Sequence, residues 1–364
     1  MKYRKFMGIG PKTVTRRGTP GKWMAALASA LLLCACAATE PLSEKNIFSD
    51  TPVSFDAFGR WDDNASGAAD TRTTSNGAET TFDNGDAIGV MAYYIPEGAT
   101  ADATAPNFMY NQKVTYSASS SATGAWTYSP VKYWPVSGKV NFYAYSPYAG
   151  SGDKHITLSP NTAVGLPTLS YTNKNADIDL MAASSENQSW NVTSSSAVHP
   201  AAPVSFTFKH LLAKVKFKFT YTGTKAYRPV LHLIRFDAPV SGTYYYNSGE
   251  FDSDNYSYAN ISKFTKDVAG VEIKSGAEGH LVDDFTCYLL PCSFPSIDGS
   301  AVGTFQLLLN NIIYEYKPKS LISVKAGKEY VLNFTIQHND AENNFFIASY
   351  SLWKDGETIE GNLQ

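Results

Sequence analysis

The sequence predicts an all-β protein built from two antiparallel β-sandwich domains in tandem. Three observations point there. From Phe82 onward, short apolar or alternating runs follow one another, separated by Gly, Asn and Ser turn signals, which is the pattern of antiparallel sandwiches. No window of helical length keeps a 3.6-residue apolar period. The composition is 13% aromatic (23 Tyr, 20 Phe, 6 Trp) and only 17% charged, the balance of a core-forming chain and the reverse of a disordered one or a coiled coil.

The elements follow in chain order. Residues 1–35 read as an export signal: seven basic residues (Lys2, Arg4, Lys5, Lys12, Arg16, Arg17, Lys22), no acid, and then the apolar run Trp23–Leu33. That run is about half of what a bilayer span needs, so a transmembrane helix is not expected. It ends in Leu33-Cys34-Ala35-Cys36, which resembles the lipobox of bacterial lipoproteins. In that pattern an aliphatic residue sits three before the lipidated Cys and a small residue directly before it. Cys36 fits both positions, whereas Cys34 follows the bulky Leu33. The resemblance implies cleavage before Cys36, acylation of its sulfur and tethering to a membrane, with more than one acyl chain needed for a stable anchor. A soluble secreted protein cut near Ala37 or Ala38 is the other reading, and the long basic region leaves Met7 and Met24 open as starts. Without residues 1–35 the chain carries 23 basic residues against 33 acidic, a net of −10 that repels nucleic acid.

Residues 37–72 are rich in Ser, Asp, Ala and Thr, with one alternating stretch, Val53-Ser54-Phe55-Asp56-Ala57-Phe58. Asp83-Asn84-Gly85-Asp86 reads as a tight turn before the strand at Ile88. Ile88–Ile95, Trp126–Tyr128, Val140–Tyr145 and Ile178–Met181 are further strand candidates. Val198-His199-Pro200-Ala201-Ala202-Pro203 is the expected domain break, dividing residues 36–200 from 201–364, because two prolines interrupt pairing and stiffen a connector. Beyond it, Lys214-Val215-Lys216-Phe217-Lys218-Phe219 alternates, so its Val and Phe should face a core and its lysines water. Phe305–Leu309 and Ile312–Tyr316 flank Asn310-Asn311, a two-residue hairpin turn because Asn tolerates positive φ. Tyr330–Ile336 places Tyr330, Leu332, Phe334 and Ile336 on one face. Phe345–Trp353 is apolar on both parities, as a strand buried on both faces would be. There is no short internal repeat, so neither a propeller nor a solenoid is expected.

Catalytic signatures are missing. The sequence holds no G-x-S-x-G elbow, H-E-x-x-H or P-loop, and its six histidines are scattered. Asp252-x-Asp254 has the start of a calcium loop, but Tyr256 fills the next ligand position and no Gly follows, so an acidic solvated turn is expected. No carboxylate pair stands out for glycoside hydrolysis. Cys287 and Cys292, five apart, sit on opposite faces of any continuous strand. They are either two buried free thiols or a disulfide across a turn at Pro291. The expectation is a protein that is not an enzyme, with no metal and no cofactor.

Several phrases then occur in a telling order: Phe82-x-x-Gly85-Asp86-x-Ile88-Gly89-Val90 with Ala92-Tyr93-Tyr94; Tyr133-Trp134-Pro135; Asn141-Phe142-Tyr143-Ala144-Tyr145-Ser146-Pro147-Tyr148; Asp179-Leu180-Met181-x-Ala183; Phe206-x-Phe208-x-His210-Leu211-Leu212-Ala213-Lys214-Val215; and Gly327-Lys328-x-Tyr330. Together they resemble the fimbrillin-like (Mfa-like, FimA-like) family of type V pilus subunits. The resemblance runs from the lipobox to about Ile336. It implies a lipoprotein precursor of two transthyretin-like β-sandwich domains, carried to the outer membrane and trimmed at the cell surface by an arginine-specific protease. Loss of the first strand would open a groove that a strand from another subunit, or from a second copy, fills to build the fimbria. The physics is that of β-augmentation, since an unpaired edge over an empty apolar groove is a template for a donated strand.

On these residues, Val53–Phe58 is the candidate removable strand, and the processing Arg must lie between it and Ile88. Arg60 and Arg72 are the choices. Arg72, in the polar stretch Asp70–Ser75, is favoured; neither being cut would suit an anchor or accessory subunit. Phe345–Trp353 is either the donor strand or the closing strand of its own domain. The resemblance thus implies a structural or accessory fimbrial subunit supporting adhesion, with other subunits and the outer membrane as partners. The alternative is a surface lipoprotein adhesin, at a tip or monomeric, that binds a glycan or protein ligand on a host or bacterial surface without polymerising.

Overall fold

The computed structural model describes residues 47–60, 75–76, 79–80, 82–100, 104–119, 122–172, 178–190, 202–223, 228–252, 261–276, 279–298, 300–340, 344–354 and 357–362. Every regular element among them is a β-strand. The expected signal, Cys36, Arg72 and most of the connector 198–203 lie outside the described residues.

The largest sheet holds nine strands. Its order is Ser75–Asn76, Glu79–Thr80, Phe55–Arg60, Val204–His210, Met181–Gln188, Lys139–Ser146, Ala87–Ile95, Met109–Ser119 and Ala122–Thr127. Its middle strands are buried on both faces, which is why Ile88–Ile95 and Val140–Tyr145 read as nearly continuous apolar runs. One face sends Ile88, Val90, Ala92, Phe142 and Ala144 into a core with Phe55, Phe206, Phe208 and Trp126. The sheet curls around this core, so that Phe82 packs edge-on against both Trp126 (4.9 Å) and Phe208 (5.6 Å). The other face sends Met91, Tyr93, Tyr143 and Tyr145 into a second, tyrosine-rich core. That core is covered by a four-stranded sheet of Ile156–Leu158, Thr168–Thr172, Ser241–Tyr245 and Glu250–Phe251. Burial pushes the Tyr93 hydroxyl up to about 12 and raises those of Tyr143, Tyr145 and Tyr246 far above the ordinary value.

A third core lies between two more sheets. One is His280–Leu289, Ala213–Tyr221, Glu329–Asn339, Asn344–Lys354 and Glu357–Asn362; the other is Ile261–Glu272, Val230–Pro239, Phe305–Leu309 and Ile312–Tyr316. Val215, Phe217 and Phe219 face this core with Tyr330, Leu332, Phe334 and Ile336, all fully buried. Each such side chain contributes about 1.5–3 kcal/mol of burial. Ring pairs such as Phe305–Phe334 (5.2 Å) and Phe217–Phe236 (5.8 Å) tie the two sheets together. The Asn310-Asn311 turn has φ of 47° and 66°. The Asp83–Asp86 turn closes through the Asp86 N–H on the Asp83 carbonyl, with Gly85 at φ 96°.

Three expectations need correction. The sheets are not wholly antiparallel: Phe55–Arg60 runs parallel to Val204–His210, and Ala213–Tyr221 runs parallel to Glu329–Asn339. Period-2 alternation carries no information about direction, and both pairs are joined by crossovers long enough to allow it. Lys214 and Lys216 do not face water but are 3% and 7% exposed. Their strand lies inside its sheet, and Glu329 supplies the counter-charge, 3.0 Å from the Lys216 Nζ and 3.7 Å from that of Lys214. The strand expected over Ile178–Met181 begins only at Met181.

The strand just past the expected domain break, Val204–His210, still belongs to the nine-stranded sheet. The chain passes to the five-stranded sheet through Leu211 and Leu212. Ser241–Tyr245 then pairs back onto Thr168–Thr172. Cys287 and Cys292 are not joined in a disulfide; the first is buried, its thiol donating to the Phe285 carbonyl, the second is half-buried, and burial pushes the Cys292 thiol up to about 12.

Candidate functional site

Residues 47–60 attach to the rest of the fold at two stations. At the first, Phe48–Pro52 pairs antiparallel with Tyr133–Pro135, Phe48 opposite Pro135 and Pro52 opposite Tyr133. The Val136 N–H donates to the Ile47 carbonyl (3.0 Å) and the Val53 N–H to that of Lys132 (2.8 Å). The Tyr128 hydroxyl donates to the Val53 carbonyl (2.8 Å), and the Trp190 indole N–H to the Thr51 hydroxyl (3.0 Å).

At the second station the alternation seen in the sequence sets the geometry. Val53, Phe55 and Ala57 are buried while Phe58, on the opposite parity, is 47% exposed. Phe55 stacks on Phe206 (5.7 Å, 16°), meets Phe142 edge-on (5.8 Å) and leans on Tyr128 (5.4 Å). Six registered pairs, from Phe55 opposite Val204 to Arg60 opposite Lys209, join the strand to its inner neighbour. Its outer neighbour, Glu79–Thr80, pairs only with Gly59 and Arg60. The segment is therefore a strand near the sheet margin, bonded along one side and plugged into an aromatic floor. Without it, the Val204–His210 edge and the Phe206–Phe142 floor would be bare, an apolar slot of strand shape.

Arg60 ends this strand, whereas Arg72 and Cys36 lie outside the described residues. The candidate donor 345–353 lies within the strand Asn344–Lys354, which pairs antiparallel with Glu329–Asn339 through ten registered pairs and is flanked outside by Glu357–Asn362. Phe345 and Ile347 are buried in the third core. In this structure the strand lies inside its own sheet, between Glu329–Asn339 and Glu357–Asn362. Sequence reasoning missed the first station, although Tyr133-Trp134-Pro135 was one of the phrases that stood out. It also missed Phe206 as the floor, whose signal was the match of Phe206-x-Phe208 to the alternation beginning at Val53.

The pattern that describes the fimbrillin-like family matches residues 71–349, most of the chain. The chain belongs to the fimbrillin-like family. A curated relative, the fimbrium subunit Fim1C of Phocaeicola vulgatus, is 32% identical to this fimbrillin-like chain over 118 residues, which are 29% of the chain. The match spans only 30% of that relative's length. Among solved structures, a fimbrial protein from Bacteroides vulgatus ATCC 8482 superposes with a TM-score of 0.51 at 14% identity, covering 85% of this chain and 99% of that one. At that identity the likeness concerns the fold alone, an all-β fimbrial architecture.

Proposed function

We propose that this fimbrillin-like chain is a structural or accessory subunit of a cell-surface fimbria that assembles by donor-strand exchange. In this reading it is exported as an outer-membrane lipoprotein acylated at Cys36. An arginine-specific protease cuts after Arg72, releasing the segment through Arg60, and a strand from another subunit takes the vacated slot. The observation that carries the proposal is the placement of Phe55–Arg60: near the sheet margin, bonded along its length on one side, paired on the other only at Gly59 and Arg60, and seated on Phe206 and Phe142. Main-chain bonds to the Val204–His210 edge would supply affinity, and the Val53, Phe55 and Ala57 positions would fix register. The division into two domains is supported by the first core, drawn from residues before Leu211, and the third, drawn from residues after Leu212; the second core holds Leu211 and Leu212 with side chains of both halves, among them Tyr93, Tyr244 and Leu290.

A second observation bears on the donor strand. Asn344–Lys354 is committed to its own sheet by ten pairs and two buried side chains, so donating it would strip that core. Polymer formation by this chain alone therefore requires that strand to leave its sheet in one copy before it fills the slot of the next. Arg72→Ala tests the processing step: the variant is expected to resist trimming and to remain monomeric. Normal trimming and polymer formation by this variant would remove Arg72 from the reading and move the cut to Arg60.

A further inference from the structure

A cavity of about 600 Å³ opens beside the first station, where the loops at 95–99, 135–139 and 187–190 meet at one end of the nine-stranded sheet. Its size is in the range of small-ligand sites, about 300–1,000 Å³. The wall is set by backbone constraints. Gly138 stands at φ 77°, where a Cβ would lie 2.5 Å from the Ile95 carbonyl oxygen. Asn187 stands at φ 57°, its N–H donating to the buried Asn141 Oδ1 at 2.7 Å. The polar groups are balanced. Lys139 Nζ donates to Asn187 Oδ1 (3.3 Å), and Glu97 puts a carboxylate on the same rim, so the wall offers no excess of positive charge for a phosphate. Apolar surface comes from Pro135 and from the half-buried Trp190 ring. An apolar face beside a ring of amide, ammonium and carboxylate groups matches a neutral pyranose, which has a C–H face and a rim of hydroxyls.

Two donors of this wall are occupied by the N-terminal segment. The Trp190 indole N–H is held by Thr51, and the Val136 N–H by the Ile47 carbonyl. We propose that the cavity is a binding site for a neutral saccharide, and that departure of the N-terminal segment, which does not itself line the cavity, strengthens binding by freeing both donors. The strengthening rests on the trimming proposed above; the site itself does not.

The two are separable with Thr51→Val, which frees the Trp190 N–H without any cut. The probe is a printed array of neutral hexoses, deoxyhexoses and N-acetylhexosamines as short oligosaccharides, followed by calorimetric titration with the strongest free saccharide. Residues 37–364 are tested intact, as Thr51→Val, as the Thr51→Val/Trp190→Phe double variant and after protease trimming. Both the Thr51→Val and the trimmed chain are expected to bind about tenfold or more tightly than the intact chain. The double variant should return to the intact level with an unchanged circular dichroism spectrum. Saccharide binding by neither form, or binding indifferent to Trp190→Phe, would overturn the site while leaving trimming untouched. Tighter binding by Thr51→Val in a chain that no protease trims would keep the site and sink the trimming.

Discussion

Phe55→Ala should loosen the N-terminal segment without unfolding the protein. Phe55 is 5% exposed and touches three rings, those of Phe206, Phe142 and Tyr128, at 5.4–5.8 Å between centroids. Truncating a buried Phe costs about 3–5 kcal/mol. Because the strand is bonded along its length on one side and only at Gly59 and Arg60 on the other, that cost falls mainly on its local attachment. The opened state should therefore become more populated by about two to four orders of magnitude. Phe58→Ala is the control: on the same strand, 47% exposed, it should change stability by no more than about 0.5 kcal/mol. Hydrogen exchange read by mass spectrometry separates the two. In Phe55→Ala, the amides of 55–60 and of 204–210 should exchange faster, while those of Glu329–Asn339 keep their protection. Equal exchange in the two variants, or faster exchange spread evenly over both bodies, would refute the detachable strand.

Three other outcomes follow from the cores. Glu329→Gln takes the carboxylate from two buried ammoniums, 3.0 Å from Lys216 and 3.7 Å from Lys214, and should cost about 3–5 kcal/mol in denaturant unfolding; Lys214→Met/Lys216→Met/Glu329→Leu together should cost less than that single change. Cys292, its thiol raised to about 12 by burial, should resist alkylation in the native protein near neutral pH, and both Cys287 and Cys292 should label in denaturant without reductant. The buried tyrosines set an alkaline limit. Their folded pKa values lie above the unfolded value of 10, so their contribution to stability is complete below pH 10 and is lost as pH rises through about 12, where Tyr93 titrates. The tyrosinate absorbance that grows in above about pH 12 should coincide with loss of β-structure, and ionisation of all the tyrosines below that pH in a still-folded protein would contradict the burial of these.

Much of this architecture was legible in the residues. Alternation at Tyr330–Ile336 named four core side chains correctly, because a strand with one buried face must alternate. The Asn310-Asn311 turn was readable because few residues other than Gly tolerate positive φ. Lys214 and Lys216 misled for a physical reason: their partner, Glu329, stands on a strand more than a hundred residues later, and no local pattern announces a long-range ion pair. Strand direction was hidden likewise, since parallel and antiparallel neighbours carry the same period. Of the groove, Val53, Phe55 and Ala57 were visible as an alternating stretch. The floor of Phe206 and Phe142 and the tie from Trp190 to Thr51 exist only once distant segments meet.

The most direct test of strand exchange uses residues 37–364 nicked briefly by an arginine-specific protease. The product is run unboiled and boiled on denaturing gels, and its new N-terminus is sequenced. A strand that completes the slot over Phe206 should exchange very slowly, so the expected result is a ladder in the unboiled lanes that collapses to monomer on boiling, with the product starting after Arg72. A stably trimmed monomer with no ladder at any concentration would contradict assembly by strand exchange.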